Sequence, residues 1–181
     1  MSEIFEAFRE ADATLEETPA WQRWAAHAAA LSDPSRRDRL TAAMGEVARR
    51  WSSTPVPVGA WHGDFTPWNM AWHGQRLSVW DWERFDTGVP QGLDAVHYAI
   101  NVRTRASGFT SGSVRSGLES ARELLPVGTQ PGVAPVAYLT AIAVRYLGAA
   151  ENEGGAVIDD SAIVMLEELE RCASSPEGSP R

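Results

Sequence analysis

The segment HGDFTPWN at residues 62–69, followed twelve residues later by Asp81 in VWDWE, holds the side chains best suited to chemistry. Asp64 offers a carboxylate that orients a hydroxyl group and accepts its proton late in a reaction. Asn69 and Asp81 offer oxygen ligands of the kind that Mg²⁺ prefers. Phosphoryl transfer needs an aligned nucleophile and neutralised phosphate charge, with little covalent help. The pattern therefore predicts phosphoryl transfer, with Asp64 catalytic and with Asn69 and Asp81 binding the metal and its nucleotide.

The order of these motifs resembles the aminoglycoside phosphotransferase and choline kinase family, whose members are relatives of protein kinases. The family pattern has HGD, an Asn five residues on, a DWE-type segment and a Gly-containing loop ending in an Asp that opens a helix. The last part is matched by GVPQGLDA at residues 88–95. Three ordered motifs at the right separations are a specific signal, and the resemblance spans about residues 61–100. It implies ATP and Mg²⁺ as cofactors and a small-molecule hydroxyl acceptor, aminoglycoside-like or choline-like. The acceptor pocket would be built from residues 95–172.

The resemblance implies a fold of α+β class, mainly helical: a kinase-like C-terminal lobe with a small β hairpin at the catalytic loop and no small N-terminal lobe. All 16 basic residues are Arg, so the small-lobe lysine that pairs with nucleotide phosphates has no counterpart. No G-x-G-x-x-G segment precedes the HGD motif. Three interpretations stay open: an enzyme with a separate small lobe in trans, a truncated two-lobe enzyme, and a noncatalytic kinase-like remnant or binding module.

Several residues near the motifs favour structural roles. His62 is expected to brace the loop through hydrogen bonds, and Asp94 to cap the N-terminus of the helix that follows it. Two interpretations of Glu83 stay open: a supporting role near the metal, and simple exposure to solvent. The tryptophans around the hairpin are expected to pack there rather than to stack on bases, because no basic stripe accompanies them: Trp61, Trp68, Trp72, Trp80 and Trp82. Without a small lobe, Trp80 and Trp82 are expected to be exposed.

Helix signals dominate the first 54 residues. Thr18-Pro19 and Asp33-Pro34 each combine a capping residue with proline at the first helical position. Apolar residues recur at three to four residue intervals after both signals. An earlier helix is predicted from the same period in Ile4, Phe8, Ala11 and Leu15.

Two short strands, 69–72 and 75–81, are predicted to form a hairpin with its turn at His73-Gly74. That hairpin would bring Asn69 and Asp81 to its open end. Farther on we expect a polar loop and then three helices, the middle one buried because it is apolar almost all round. Their ranges are 103–112 for the loop, and 113–125, 135–147 and 163–172 for the helices. Residues 1–173 are predicted to form one lobe and 174–181 a disordered tail.

Composition limits the partners and the compartment. The net charge of −8 argues against nucleic acid and anionic membranes, whose binding relies on clustered Lys and Arg. A single cysteine excludes an internal disulfide and suits a reducing cytoplasm. The charged N-terminus lacks a signal-peptide pattern, and no apolar run is expected to reach about 18 residues, the length of a membrane-spanning helix.

Two metal-dependent alternatives are disfavoured by the histidines and the cysteine. A metallophosphatase needs several more His and Asp ligands, and His27, His73 and His97 have no partners at suggestive spacing. A zinc site is disfavoured because the chain has one Cys and no HExxH motif.

Overall fold

The computed structural model describes residues 8–152 and 154–175, and this part of the chain is mainly helical. Its helices are α1 (Pro19–Ala29), α2 (Pro34–Arg50), α3 (Leu93–Ser107), α4 (Ser111–Ala121), α5 (Val133–Ala150) and α6 (Ala156–Ser174). Its strands are β1 (Val58–Trp61), β2 (Met70–His73), β3 (Arg76–Val79) and β4 (Asp86–Pro90). The fold class is α+β and mainly helical, as the sequence predicts.

Helices α1 and α2 begin where their capping residues predict. The Thr18 hydroxyl accepts a hydrogen bond from Trp21 N at 3.3 Å. Asp33 Oδ1 accepts from Ser35 N at 2.8 Å and from Arg36 N at 3.1 Å. Both caps satisfy amide groups that have no partner within the first helical turn, and the proline after each cap has no N–H to satisfy.

The helix predicted from Ile4 to Leu15 is wrong over the residues that the structure describes, and Ile4 lies outside them. Glu10 N donates to Val58 O and Ala13 N donates to Val56 O, so this segment runs beside the chain entering β1. Leu15 is buried at the start of a single 3-10 turn. The apolar period is real, but long-range pairing satisfies the backbone polar groups that a helix would have satisfied internally.

Two antiparallel strand pairs flank the HGD loop, the name used here for His62–Asn69. Strand β2 pairs with β3 as predicted, although the turn lies at Gly74-Gln75, one residue later than expected. Strand β1 pairs with β4, with a bulge at Gly59/Ala60, and this pair was not predicted. The HGD loop therefore leaves one strand pair and enters the other.

Helix α5 lies in the centre of the core and packs against α1, α3 and α6. At 18 residues with a mean hydropathy of 1.4, it is long and apolar enough to cross a membrane, so the expectation that no apolar run reaches that length is wrong. The other helices bury 67% of it, as expected for a buried core helix.

Elements after α3 begin and end at residues that differ from those predicted. The loop expected over 103–112 is helical through Ser107, where the Thr104 hydroxyl donates to Ile100 O at 3.0 Å. Helix α4 starts at Ser111, capped by Thr110. The first residue of the expected tail, Ser174, is the last residue of α6. Residues 176–181 of that tail lie outside the described residues.

Candidate active site

The His62 ring holds the HGD loop in shape. Asp64 N donates to His62 Nδ1 at 3.2 Å, so Nδ1 is the acceptor nitrogen and Nε2 carries the proton. Nε2 then donates to Trp80 O at 2.9 Å, which ties the loop to the end of β3. His62 is buried and satisfied at both nitrogens, and it braces the loop as the sequence predicts.

Gly63 is required by backbone conformation and by close packing. Its φ of +80° lies in the left-handed region, and a Cβ there would collide with the carbonyl oxygen of Arg84. The Gly63 carbonyl accepts a hydrogen bond from Arg145 Nη1 at 2.9 Å. The guanidinium of Arg145 also stacks on Trp61, 5.1 Å from the ring centroid. Helix α5 thus fixes the peptide that precedes Asp64.

Asp94 does not cap α3, so that expectation is wrong: the capping position is Gly92, with φ +99°, and Asp94 lies inside the first turn. Its carboxylate reaches across to the HGD loop instead. Oδ2 accepts from His62 N at 2.8 Å, and Oδ1 accepts from Gly63 N at 3.2 Å. These bonds hold the backbone just before Asp64. Burial raises the pKa of Asp94 to about 7, although both hydrogen bonds oppose the rise.

Asp64 and Asn69 are brought together directly. Asn69 Nδ2 donates to Asp64 Oδ2 at 2.9 Å and to Asp64 O at 3.0 Å. Both amide hydrogens of Asn69 are thereby used, and Asn69 Oδ1 receives no hydrogen bond from the described residues. The Asp64 side chain is 33% exposed, so a small molecule can reach it.

His97 on α3 is the site residue that the sequence did not reveal. Its Nε2 lies 3.2 Å from Asp64 Oδ1, and its Nδ1 lies 3.0 Å from the Tyr138 hydroxyl. No rule of sequence spacing relates His97 to Asp64, because the two residues are 33 positions apart. One available signal was the i,i+3 spacing from Asp94, which puts both side chains on one face of a helix.

The hydrogen bonds to Asp64 keep its carboxylate ionised. The bond from His97 lowers the pKa of Asp64 most, partial burial opposes the shift, and the bond from Asn69 lowers the pKa further. Burial lowers the pKa of His97, although the adjacent Asp64 opposes that shift. The result is an anionic carboxylate beside a neutral imidazole.

Asp81 stands apart from this cluster. It follows Trp80, whose N–H donates to Asn69 O at 3.1 Å, so the hairpin does bring its backbone to the Asn69 end. Asp81 has a left-handed backbone (φ 65°, ψ 57°), and its exposed side chain forms no hydrogen bond or ion pair with the described residues. Glu83 is 70% exposed and lies 3.8 Å from Arg84 Nε, which favours simple exposure.

The donor atoms fit a hard cation better than a soft one. Among residues 8–152 and 154–175, no group of three or more His, Cys, Asp or Glu side chains is arranged to hold a metal. Asn69 and Asp81 both offer oxygen donors, the amide oxygen of Asn69 and the carboxylate of Asp81, and oxygen is the donor that Mg²⁺ prefers.

A cavity of about 580 Å³ opens beside the HGD loop. Its wall is formed by α1, α5 and the segment 83–86. Its charged residues are Arg23, Glu83, Arg84, Asp86, Arg145 and Glu151, and His27 also lines it. Asp64 does not line it, but Arg145, which does, donates to Gly63 O. Arg145 therefore connects the wall of the cavity to Gly63, the residue before Asp64.

The tryptophans of the hairpin region differ in burial. Trp61 is buried in the core, as expected. Trp80 and Trp82 are 45% and 40% exposed, which confirms the expectation for these two. Trp68 and Trp72 are exposed as well, so the idea that they pack around the hairpin is wrong. Trp68 lies under the Arg105 guanidinium, and Trp72 lies at the far end of β2.

Comparisons with known proteins bear on this arrangement. A family model described as "Phosphotransferase enzyme family" (APH) matches residues 4–102. The chain is 27% identical over 113 residues to malonate-semialdehyde dehydrogenase 1 of Geobacillus thermodenitrificans (strain NG80-2), covering 54% of this chain and 22% of that protein. It thus spans about a fifth of that relative's length. No solved structure matches. Because the family model covers more than half of the chain, including Asp64, Asn69 and Asp81, the chain belongs to the phosphotransferase enzyme family.

Proposed function

We propose that this chain is the kinase-like C-terminal lobe of an ATP-dependent and Mg²⁺-dependent enzyme that phosphorylates a hydroxyl group of a small molecule. The observation that carries the proposal is the Asp64 carboxylate: partly exposed, ionised, and held at both oxygens by Asn69 and His97. An anionic oxygen in a fixed position is what aligning an acceptor hydroxyl requires.

In the proposed reaction, Asp64 accepts a hydrogen bond from the acceptor hydroxyl and takes its proton as the acceptor oxygen bonds to the γ-phosphorus of ATP, while the bond from that phosphorus to the β–γ bridging oxygen breaks and ADP leaves. Asp94 and Arg145 hold the peptide before Asp64, so little reorganisation is needed at that point. Asn69 and Asp81 would hold Mg²⁺, which when bound neutralises charge on the nucleotide phosphates.

The body of the acceptor is proposed to bind in the cavity between α1 and α5, with its reacting hydroxyl extending past Arg145 at the rim to the Asp64 carboxylate, which lies outside the cavity. The lining carries both signs of charge, and two of the acids already have partners. Asp86 pairs with Arg23 at 2.7 Å, and Glu151 accepts hydrogen bonds from Ser32 N and Asp33 N. An aminoglycoside-like or choline-like amine is the acceptor that the family favours. A single half-buried cysteine agrees with the reducing cytoplasm in which we place the enzyme.

A small lobe is the proposed partner, supplied by a further coding segment or a separate polypeptide. The sequence contains no lysine and no Gly-x-Gly, the two elements that grip and cover nucleotide phosphates in kinases. Exposed Trp80 and Trp82 beside the metal ligands support a surface that another lobe covers. The DNA before the Met1 codon, or an adjacent gene, is expected to encode strands, a Gly-rich loop and a lysine.

The same absences support a second candidate, a noncatalytic kinase-like remnant or binding module. The name of the curated relative points to oxidoreduction, but the region matched is about a fifth of that protein, and the sequence lacks any Gly-x-Gly for a dinucleotide. We therefore do not carry a dehydrogenase activity over to this chain.

Transfer of label from γ-³²P-ATP tests the proposal. The chain, alone and with any small lobe encoded beside it, is incubated with Mg²⁺ and a panel of amino sugars and amino alcohols. We expect label in one acceptor class, and Asp64→Asn should remove it. If no combination binds ATP or transfers label, the enzyme proposal fails and the noncatalytic module becomes the better account.

A further inference from the structure

Two side chains from two helices converge on Asp64 beyond the HGD loop itself. His97 on α3 contacts Asp64 Oδ1, and Tyr138 on α5 contacts the other nitrogen of the same imidazole. His97 and Tyr138 are both buried, at 4% and 2% exposure. We propose that His97, oriented by Tyr138, is a positioning residue that holds the Asp64 carboxylate in one rotamer. This inference rests on the proposed function insofar as Asp64 is the catalytic base.

The direction of each hydrogen bond follows from chemistry. An ionised carboxylate only accepts, so the nitrogen facing Asp64 must carry the proton, and that nitrogen is Nε2. Nδ1 of a neutral imidazole then accepts, and the Tyr138 hydroxyl donates to it. The opposite tautomer would point a lone pair at the carboxylate. The ionised carboxylate of Asp64 thus fixes the tautomer, and the Tyr138 hydroxyl, which is able to donate or to accept, donates to Nδ1 and holds the plane of the ring.

The two oxygens of Asp64 are held from different elements. Asn69, within the HGD loop, donates to Oδ2, and His97 donates to Oδ1. Loss of the Asn69 bond would leave the carboxylate tied to α3, whereas loss of His97 leaves it tied only to its own loop. His97 therefore limits the side-chain rotation of Asp64 from outside the loop, whereas the Asn69 hydrogen bond acts only from within it.

The rival explanation is that His97 is only a satisfied core histidine. Both explanations predict that removing it destabilises the fold, so stability cannot separate them. They differ in the rotamer of Asp64 and in the effect of restoring an N–H donor. Glutamine at position 97 offers such a donor, whereas leucine fills the space without one.

The test is NMR measurement of the three-bond couplings that report χ1 of Asp64, in labelled parent protein and variants. We expect one rotamer in the parent and in His97→Gln, and averaging in His97→Leu. Thr104→Val is the matched control, since Thr104 is a buried polar residue on the same helix whose hydrogen bonds stay within α3. Tyr138→Phe keeps the packing but removes the hydrogen bond that holds the ring of His97, so we expect partial averaging of χ1 of Asp64 in this variant as well. That variant keeps the test decisive where His97→Leu does not fold.

An unchanged single rotamer of Asp64 in either His97→Leu or Tyr138→Phe would overturn the proposal. These readouts need no turnover, so they remain informative where phosphoryl transfer is absent and the proposed function has failed. Where transfer occurs, kcat should fall about 10-fold to 100-fold in His97→Leu, the range seen when a residue supporting a catalytic group is lost. The KM for the nucleotide should stay unchanged, and His97→Gln should recover most of kcat.

Discussion

Asn69 donates both of its amide hydrogens to Asp64, one to the carboxylate at 2.9 Å and one to the backbone carbonyl at 3.0 Å. The same residue therefore closes the HGD loop, and its amide oxygen receives no hydrogen bond from the described residues. An amide can do this because its nitrogen donates while its oxygen accepts, whereas a carboxylate at position 69 would only repel Asp64. This explains in physical terms why asparagine stands at this position.

Removal of the charge on Asp64 is the most direct test of the site. Asp64→Asn should lower turnover by about 10² to 10⁴, the range for loss of a positioned base. The thermal midpoint should also fall slightly, because the NH₂ group of Asn would face one of the two donors, Asn69 Nδ2 or His97 Nε2, in place of an acceptor oxygen. Asp160→Asn, at an exposed position on α6, is the matched control. Near-normal turnover of Asp64→Asn in the labelled-ATP assay would remove Asp64 from the mechanism.

The two proposed metal ligands should differ in their effects. Asp81→Ala is expected to weaken binding of the Mg²⁺-nucleotide more than Asn69→Ala does, because it deletes a charged oxygen rather than a neutral one. Calorimetric titration of the nucleotide at fixed Mg²⁺ measures both, with Asp160→Ala as the control. Equal affinity in the parent and in both variants would contradict a shared metal site.

Asp94 should make stability depend on pH. Its pKa is raised from 3.8 to about 7, so between these values the folded chain holds a proton that the unfolded chain has released. The resulting stabilisation is fully present below about pH 4 and is lost as the pH rises to 7, with a slope of at most about 1.4 kcal/mol per unit.

Urea denaturation of the parent and of Asp94→Asn, compared across pH 4 to 8, measures this contribution. We expect the parent to lose stability relative to Asp94→Asn as the pH rises. Asp38→Asn is the matched control for removing a carboxylate at an exposed site, since Asp38 is 74% exposed. Parallel curves for the parent and Asp94→Asn would show that Asp94 titrates alike in the folded and unfolded chains.

The contact between α3 and α4 depends on Gly117. A Cβ there would lie 2.6 Å from Ile100 Cα, so Gly117→Ala should lower the free energy of unfolding by about 1–3 kcal/mol through overpacking. Gly112→Ala, in the same helix, meets nothing closer than 3.8 Å and should raise it by about 0.5–1 kcal/mol through helix propensity. Denaturant unfolding measures both variants. An unchanged free energy of unfolding in Gly117→Ala would mean that α4 shifts away from α3 without loss of stability.

Local signals in the sequence predicted the parts of the fold that local chemistry determines. Thr18 and Asp33 mark their helix starts because a capping side chain acts within three residues. The pairing of β1 with β4 and the contact of His97 with Asp64 join residues about 30 positions apart, and only packing brings them together. The prediction that Asp94 caps its own helix is wrong for the same reason: no local sequence signal indicates that the backbone of the HGD loop lies within reach of its carboxylate.

The i,i+3 spacing of Asp94 and His97 has a mechanical consequence. One turn of α3 holds the HGD loop by its backbone and by its reactive side chain together. Because one helical turn is a rigid unit, the separation between these two points of contact is set by the geometry of α3 and not by the loop. The loop backbone and the Asp64 carboxylate therefore keep a fixed spacing from each other, while Arg145 on α5 and Trp80 at the end of β3 oppose any movement of the loop together with α3.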